Sequence, residues 1–268
     1  MIAIHAPRLH RVGLIVPSSN TTMETEIAAL LQRQAAADGS RFTIHSARLR
    51  LRQTTPDALR AMNDAAGDAV DALCDAQVDT LMYACLVATM FGGRASVVET
   101  GQRLARRAAH IRSAPVPVVT SADALVSALR SLGAESISMI APYRKDVTAR
   151  VAATIEEHGI AVREAVSLEV ADTVSVGRLD PQRLLALASE LDLANSDALV
   201  LSACVQMPSL DVLDAAEQRL GLPVLSAASA SVWALLHKLR VEARVKGAGW
   251  LLRSSHACRQ VHEHREAA

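Results

Sequence analysis

At 268 residues, half of them apolar and only 2% aromatic, the chain can fill one large domain or two smaller ones with Ala, Val, Leu and Ile, the usual packing between parallel strands and helices. Lys plus Arg equals Asp plus Glu at 28 each, without a long block of one sign, so a nucleic-acid footprint and a membrane-surface patch are both unsupported. The longest apolar stretch, Leu81 to Phe91, is far below the ~18 residues of a spanning helix, and the expectation is a soluble cytoplasmic protein.

In chain order, short apolar or β-branched runs predict strands near 11–17, 42–49, 79–84, 116–119, 136–141, 160–168, 197–203 and 222–225. Helical patterns fall between them near 21–36, 56–77, 95–110, 121–132, 144–158, 180–193, 209–219 and 226–241. Helix starts are signalled by Thr21-x-x-Glu24 as a capping box, by Thr55-Pro56-Asp57 and by Asp180-Pro181. Such alternation predicts right-handed βαβ units and parallel sheets.

The pattern occurs twice. Val12-Gly-Leu-Ile-Val-Pro17 matches Ile137-Ser-Met-Ile-Ala-Pro142, Asp79-Thr-Leu-Met-Tyr83 matches Asp197-Ala-Leu-Val-Leu201, and Pro117-Val-Val-Thr-Ser-Ala122 matches Pro223-Val-Leu-Ser-Ala-Ala228. Order is kept while the second copy loses loop residues, as in a duplicated unit. The expected fold is α/β with two pseudo-symmetric lobes, each a mostly parallel sheet flanked by helices, and an active site between them. Residues 1–121 form the first lobe, completed by a C-terminal helix over 226–252; residues 122–225 form the second, and 253–268 a polar tail.

Ligands in such sheets sit beyond the carboxyl ends of the strands. Four loops are therefore directed at one cleft, carrying Ser18-Ser19-Asn20-Thr21, Cys85, Pro142-Tyr143 and Cys204-Val205-Gln206. Cys85 and Cys204 end matched apolar runs, and a fold has little reason of its own to prefer cysteine twice at such a junction. A thiol followed by a helix N-terminus can be acidified towards the reactive thiolate. Ser18 to Thr22 offer hydroxyls, an amide and backbone N–H groups, a site the size of a carboxylate or the cap of the following helix. They lack the glycine spacing of a nucleotide fingerprint. Tyr143 can donate to a substrate oxygen or serve as a partly buried structural residue.

Cys74, Cys85, Cys204 and Cys258 include no Cys-x-x-Cys and are expected as reduced thiols. Cys74 lies in a helical pattern and reads as packing. His256, Cys258, His262 and His264 in the tail are a weak metal pattern, read as a solvated terminus. The histidines show no His-x-x-x-His or triad grouping, and no metal site is expected.

Over residues 11–252 the chain resembles the maleate cis-trans isomerase family of the aspartate/glutamate racemase superfamily. The resemblance is carried by Val12-Gly-Leu-Ile-Val-Pro-Ser-Ser-Asn-Thr-Thr-Met-Glu-Thr-Glu-Ile27, Tyr83-Ala-Cys-Leu-Val87, Ala141-Pro-Tyr143 and Leu199-Val-Leu-Ser-Ala-Cys-Val-Gln-Met-Pro-Ser-Leu210. It implies a homodimer without cofactors that converts maleate to fumarate, with Cys85 as nucleophile and Cys204 as second catalytic thiol. Asn20 and Tyr143 would hold the dicarboxylate, with Ser18, Thr21, Leu86, Val87, Val205 and Thr173 completing the substrate contacts. The sequence departs from the family at Asp172-Thr173-Val-Ser-Val-Gly-Arg178, where Thr173 replaces the usual asparagine and exchanges an amide for a shorter hydroxyl. Other two-thiol chemistries of the superfamily, amino-acid racemisation or malonate decarboxylation, and a noncatalytic dicarboxylate-binding protein are the competing expectations.

Overall fold

The computed structural model describes residues 8–253. The chain runs β1 (Leu9–Pro17), α1 (Met23–Asp38), β2 (Arg41–Leu49), α2 (Pro56–Asp64), α3 (Ala66–Asp75), β3 (Thr80–Tyr83), α4 (Leu86–Met90), α5 (Gly93–Arg112), β4 (Val118–Thr120) and α6 (Ser121–Ser131). It continues through β5 (Ser136–Ala141), α7 (Lys145–Glu157), β6 (Ala161–Ser167), α8 (Thr173–Val176), α9 (Pro181–Ala188), β7 (Ala198–Ser202), α10 (Leu213–Leu220), β8 (Val224–Ser226) and α11 (Ala227–Lys238). Short 3-10 turns cover Leu210–Val212 and Trp250–Leu252.

The strands form two sheets of identical order, β2-β1-β3-β4 and β6-β5-β7-β8, and every pairing is parallel. Every residue of the interior strands β3, β5 and β7 is buried, because helices cover both of their faces, and the edge strand β8 is buried as well. Two of the four edge strands, β2 and β6, are partly exposed along their length. Close packing fixes Gly13 on β1: a Cβ there would stand 2.8 Å from Leu81 and 3.0 Å from Val78. Helix α11 returns across the molecule to pack on α6, α1, β3 and β4.

Three local expectations change. The helix expected over 56–77 breaks at Ala65 into α2 and α3. The short helices α4 and α8 follow Cys85 and Asp172. Helix α1 begins at Met23 after the N-cap position Thr22, and the side chain that caps this start is that of Asn20, whose Oδ1 accepts from the N–H groups of Thr22 and Met23, both at 2.9 Å. The expected Thr21–Glu24 capping box does not form, because Glu24 turns to pair with Arg48. Thr55 and Asp180 do cap their helices, accepting from Ala58 and Gln182.

Polar contacts join the lobes around the cleft. On one side Thr154 and Arg150 of α7 donate to the carbonyls of Met90, at 2.8 Å, and Phe91, at 3.0 Å. On the other, the buried Glu26 of α1 accepts from the N–H groups of Ser209 at 2.7 Å and Leu210 at 2.9 Å. Burial raises the Glu26 pKa, and the two N–H donors oppose that shift.

A second buried carboxylate predicts how stability depends on pH. Glu217 Oε1 accepts from Val224 N at 3.0 Å and Trp250 N at 2.8 Å, pinning the C-terminal turn to β8. Burial pushes its pKa from 4.5 to about 7. The folded state therefore keeps a proton that the unfolded chain releases, so this contribution is full below pH 4.5 and is lost as pH rises through about 7. A pKa displaced this far corresponds to a stability change of order 3 kcal/mol. Thermal melts should show the wild type losing more stability from pH 5 to pH 8 than Glu217→Gln, which keeps an oxygen acceptor for both N–H groups. Equal losses would remove Glu217 as the cause.

Candidate active site

Interior strands β3 and β7 each end two residues before a cysteine, at Tyr83 and Ser202. The thiols are delivered differently. Cys85 is the N-cap of α4, with φ −145° and ψ 92°. Cys204 enters a turn in which the Ser202 hydroxyl donates to the carbonyls of Cys204 at 2.8 Å and Met207 at 3.1 Å. Both cysteines are buried, 4% and 8% exposed, and close enough for charge on one to raise the pKa of the other at Cys85.

Tyr143, just after β5, completes this cluster. Its hydroxyl lies 3.3 Å from the Ala203 carbonyl, to which it donates, and also hydrogen-bonds the Cys204 thiol. Burial, followed by the two neighbouring thiols, holds its pKa well above the usual tyrosine value, so it is a neutral donor. For Cys85, burial pushes the thiol up to about 12, against the opposing Ala88 N–H and with Cys204 adding to the rise. Burial also raises Cys204, opposed by the Tyr143 hydroxyl and the N–H groups of Gln206 and Met207. The expected acidification at the helix N-terminus is thus overridden at Cys85: the Ala88 N–H acts in that direction, but desolvation of the thiolate outweighs it.

Asn20 combines two roles. Its carbonyl oxygen caps α1 while its amide nitrogen faces the Val205 carbonyl at 3.5 Å, across the cleft. Leu86, Val87 and Val205 are buried beside the thiols in sequence. Ser18 and Thr21 instead lie outward. Ser18 is exposed, and its Oγ accepts from Leu51 N at 3.1 Å. Thr21 is exposed with its hydroxyl against Gly177, where a Cβ could not fit. The N–H groups of Ser18, Asn20, Thr22 and Met23 are taken by protein oxygens, so little of this loop's backbone is left for an anion.

Thr173 lies at the lobe junction. Its hydroxyl donates to the Arg52 carbonyl at 3.2 Å, and its own carbonyl accepts from Gln206 Nε2. Gln206 was not singled out from the sequence. It is buried, its side chain also donates to the Ser19 carbonyl at 2.9 Å, and its backbone N–H stands 3.4 Å from Cys204 Sγ. One signal was available: in the matched turns Cys85-Leu86-Val87 and Cys204-Val205-Gln206, only the second carries a long polar side chain. Among the described residues no three His, Cys, Asp or Glu side chains group as metal ligands. His256, Cys258, His262 and His264 lie outside the described residues.

Comparison with known proteins gives this geometry a context. The arylmalonate decarboxylase family model matches residues 12–252. A maleate isomerase of Geobacillus stearothermophilus is 46% identical over 243 residues, 90% of this chain and 96% of that one, and one of Alcaligenes faecalis is 44% identical over 91% and 97%. The chain belongs to the maleate isomerase family. Among solved maleate isomerases, a cysteine-to-alanine variant from Pseudomonas putida S16 with maleate superposes with a TM-score of 0.90 at 40% identity, covering 92% of this chain and 99% of that one. A cysteine-to-serine variant from Nocardia farcinica, carrying a covalently bound succinylcysteine intermediate, gives 0.88 at 40% identity over 92% and 99%. The fold of these maleate isomerases thus extends over about nine-tenths of the chain.

Proposed function

We propose that this chain isomerises maleate to fumarate with its own side chains, Cys85 acting as nucleophile and Cys204 as the second catalytic thiol. The observation that carries the reading is the buried cluster of Cys85, Cys204 and Tyr143 at the ends of β3, β7 and β5. Maleate presents a double bond conjugated to carboxylates, which a sulfur nucleophile attacks. As the Cys85 sulfur bonds to one alkene carbon, its proton passes to Cys204 while the Cys204 proton moves to the other carbon, so S–H is added across the double bond. Both thiols can then begin protonated, in keeping with their raised pKa values. The former double bond is now single and rotates. The reverse relay removes a proton from carbon, expels the sulfur and releases fumarate.

Tyr143 and Asn20 donate to the substrate carboxylates, with Leu86, Val87 and Val205 forming the walls and Ser18, Thr21 and Thr173 the outer rim. The free thiols suit a reducing cytoplasmic setting, and a homodimer follows from the family resemblance. No described helix is long and apolar enough to cross a membrane. Proton NMR of protein mixed with maleate should show fumarate growing as maleate disappears; unchanged maleate, with conversion of L-aspartate or a phenylmalonate instead, would refute the reading. Tyr143→Phe should lower kcat by about a hundredfold, the usual cost of removing a donor to developing charge, as followed by fumarate absorbance. A loss confined to KM would give Tyr143 a ground-state role only.

A further inference from the structure

A cavity of about 950 Å³ lies outside the thiol cluster, lined by Ser18, Ser19, Arg50, Arg52, Asp172 and Thr173 among others. Gln206 ties its wall to the chemistry: the side chain donates to the carbonyls of both Ser19 and Thr173, and its own N–H faces Cys204 Sγ. The rim is anchored. Leu51 is buried and its N–H donates to Ser18 Oγ, while the Arg52 carbonyl accepts from Thr173 Oγ1. Arg50 and Arg52 flank the buried Leu51, and both line the cavity.

The charge balance there is positive. Nearby Arg48 is paired with Glu24, and Arg60 with Asp57, whereas no ion pair within the protein engages the Arg50 or Arg52 guanidinium among the described residues. Asp172 is the one carboxylate among the lining residues, and it is held by Ser175 N at 2.8 Å and Ser175 Oγ at 2.6 Å as the cap of α8. The Ser19 hydroxyl is buried without a hydrogen-bond partner. By contrast, the cluster of Cys85, Cys204, Tyr143 and Asn20 contains no cationic side chain. The unpaired positive charge thus lies on the cavity lining rather than in the thiol cluster.

We infer that Arg50 and Arg52 form an outer dicarboxylate subsite, which captures the substrate as a dianion and hands it past Gln206 to the thiols. The inference rests on the maleate reading above. Attraction of this kind raises the rate of productive capture and weakens as salt screens it. Wild-type kcat/KM for maleate should fall several-fold as ionic strength rises from about 10 to about 200 mM. In R50A/R52A the low-salt kcat/KM should drop by about tenfold, with the loss falling mainly on KM and the salt dependence flattened. R50K/R52K should keep both the rate and the salt dependence, and R50E/R52E should invert the latter.

An unchanged kcat/KM and salt dependence in R50A/R52A would overturn the outer subsite, as would a loss confined to kcat with the salt dependence intact. The maleate reading is judged separately on the wild type. If the wild type neither turns over maleate nor acquires a maleate adduct on Cys85 by mass spectrometry, that reading fails whatever the arginine variants do.

Discussion

Cys85→Ala is expected to lower kcat/KM for maleate by roughly three orders of magnitude or more, the scale of losing a covalent nucleophile. Nothing else in the cluster can replace it: Tyr143 is held protonated by burial, and Cys204 is set in a different turn, in contact with Tyr143. Removing one buried sulfur at a helix cap should leave the fold intact, as circular dichroism would show. The same burial makes a pH prediction for the unliganded protein. The reactive species is the thiolate, and a pKa pushed up to about 12 keeps it scarce at neutral pH. Alkylation of Cys85 by iodoacetamide, located by peptide mass mapping, should climb about tenfold per pH unit between pH ~7 and ~9 without a plateau. Turnover of Cys85→Ala within tenfold of wild type would remove the nucleophile assignment, and an alkylation plateau near neutrality would show a thiol far more acidic than its burial dictates.

Much of the scaffold can be read from residue type because its interior strands are unambiguous. Val200 and Leu201 on β7, or Ile137 and Ile140 on β5, sit in apolar runs too short for a helix, and each run precedes a helical pattern. What stayed hidden depends on contacts between distant segments. The break at Ala65 has no proline to announce it. Just before it, Asn63 donates to the Ala88 carbonyl at 2.8 Å and accepts from the Tyr83 hydroxyl at 2.5 Å, partners remote in sequence. The shift of the α1 cap from Thr21 to Asn20 is one residue in sequence, yet it decides which side chain is left to face Val205. The ordering of the two thiols at strand ends was legible, whereas their acidity was not. The helix-terminus effect can be inferred from the chain order alone, but the larger opposing effect is burial in the folded structure. Gln206 was missed for the same reason, since its partners Ser19 and Thr173 are remote in sequence and meet only when the lobes are assembled.

Cys204→Ser is expected to slow the proton relay while leaving Cys85 able to bond to the substrate. The serine hydroxyl can still fill the turn and accept from Gln206 N, as the thiol does at 3.4 Å, so the cleft and the Cys85 approach should survive. A hydroxyl is far less acidic than a thiol, however, and is a poor relay for the proton that must be withdrawn from carbon to expel the sulfur. Turnover should fall by roughly a hundredfold to a thousandfold, while protein incubated with maleate accumulates a mass increase of one maleate on the peptide containing Cys85. Cys85→Ala/Cys204→Ser should carry no adduct, which distinguishes the reactive thiol from Cys74, buried on α3 with its pKa raised by desolvation. An adduct on Cys74, or near-wild-type turnover in Cys204→Ser, would overturn the two-thiol relay. Adduct accumulation with slowed release would place Cys204 in the proton relay and make the two lobes unequal in chemistry: one supplies the sulfur that bonds to carbon, the other the sulfur that moves the proton.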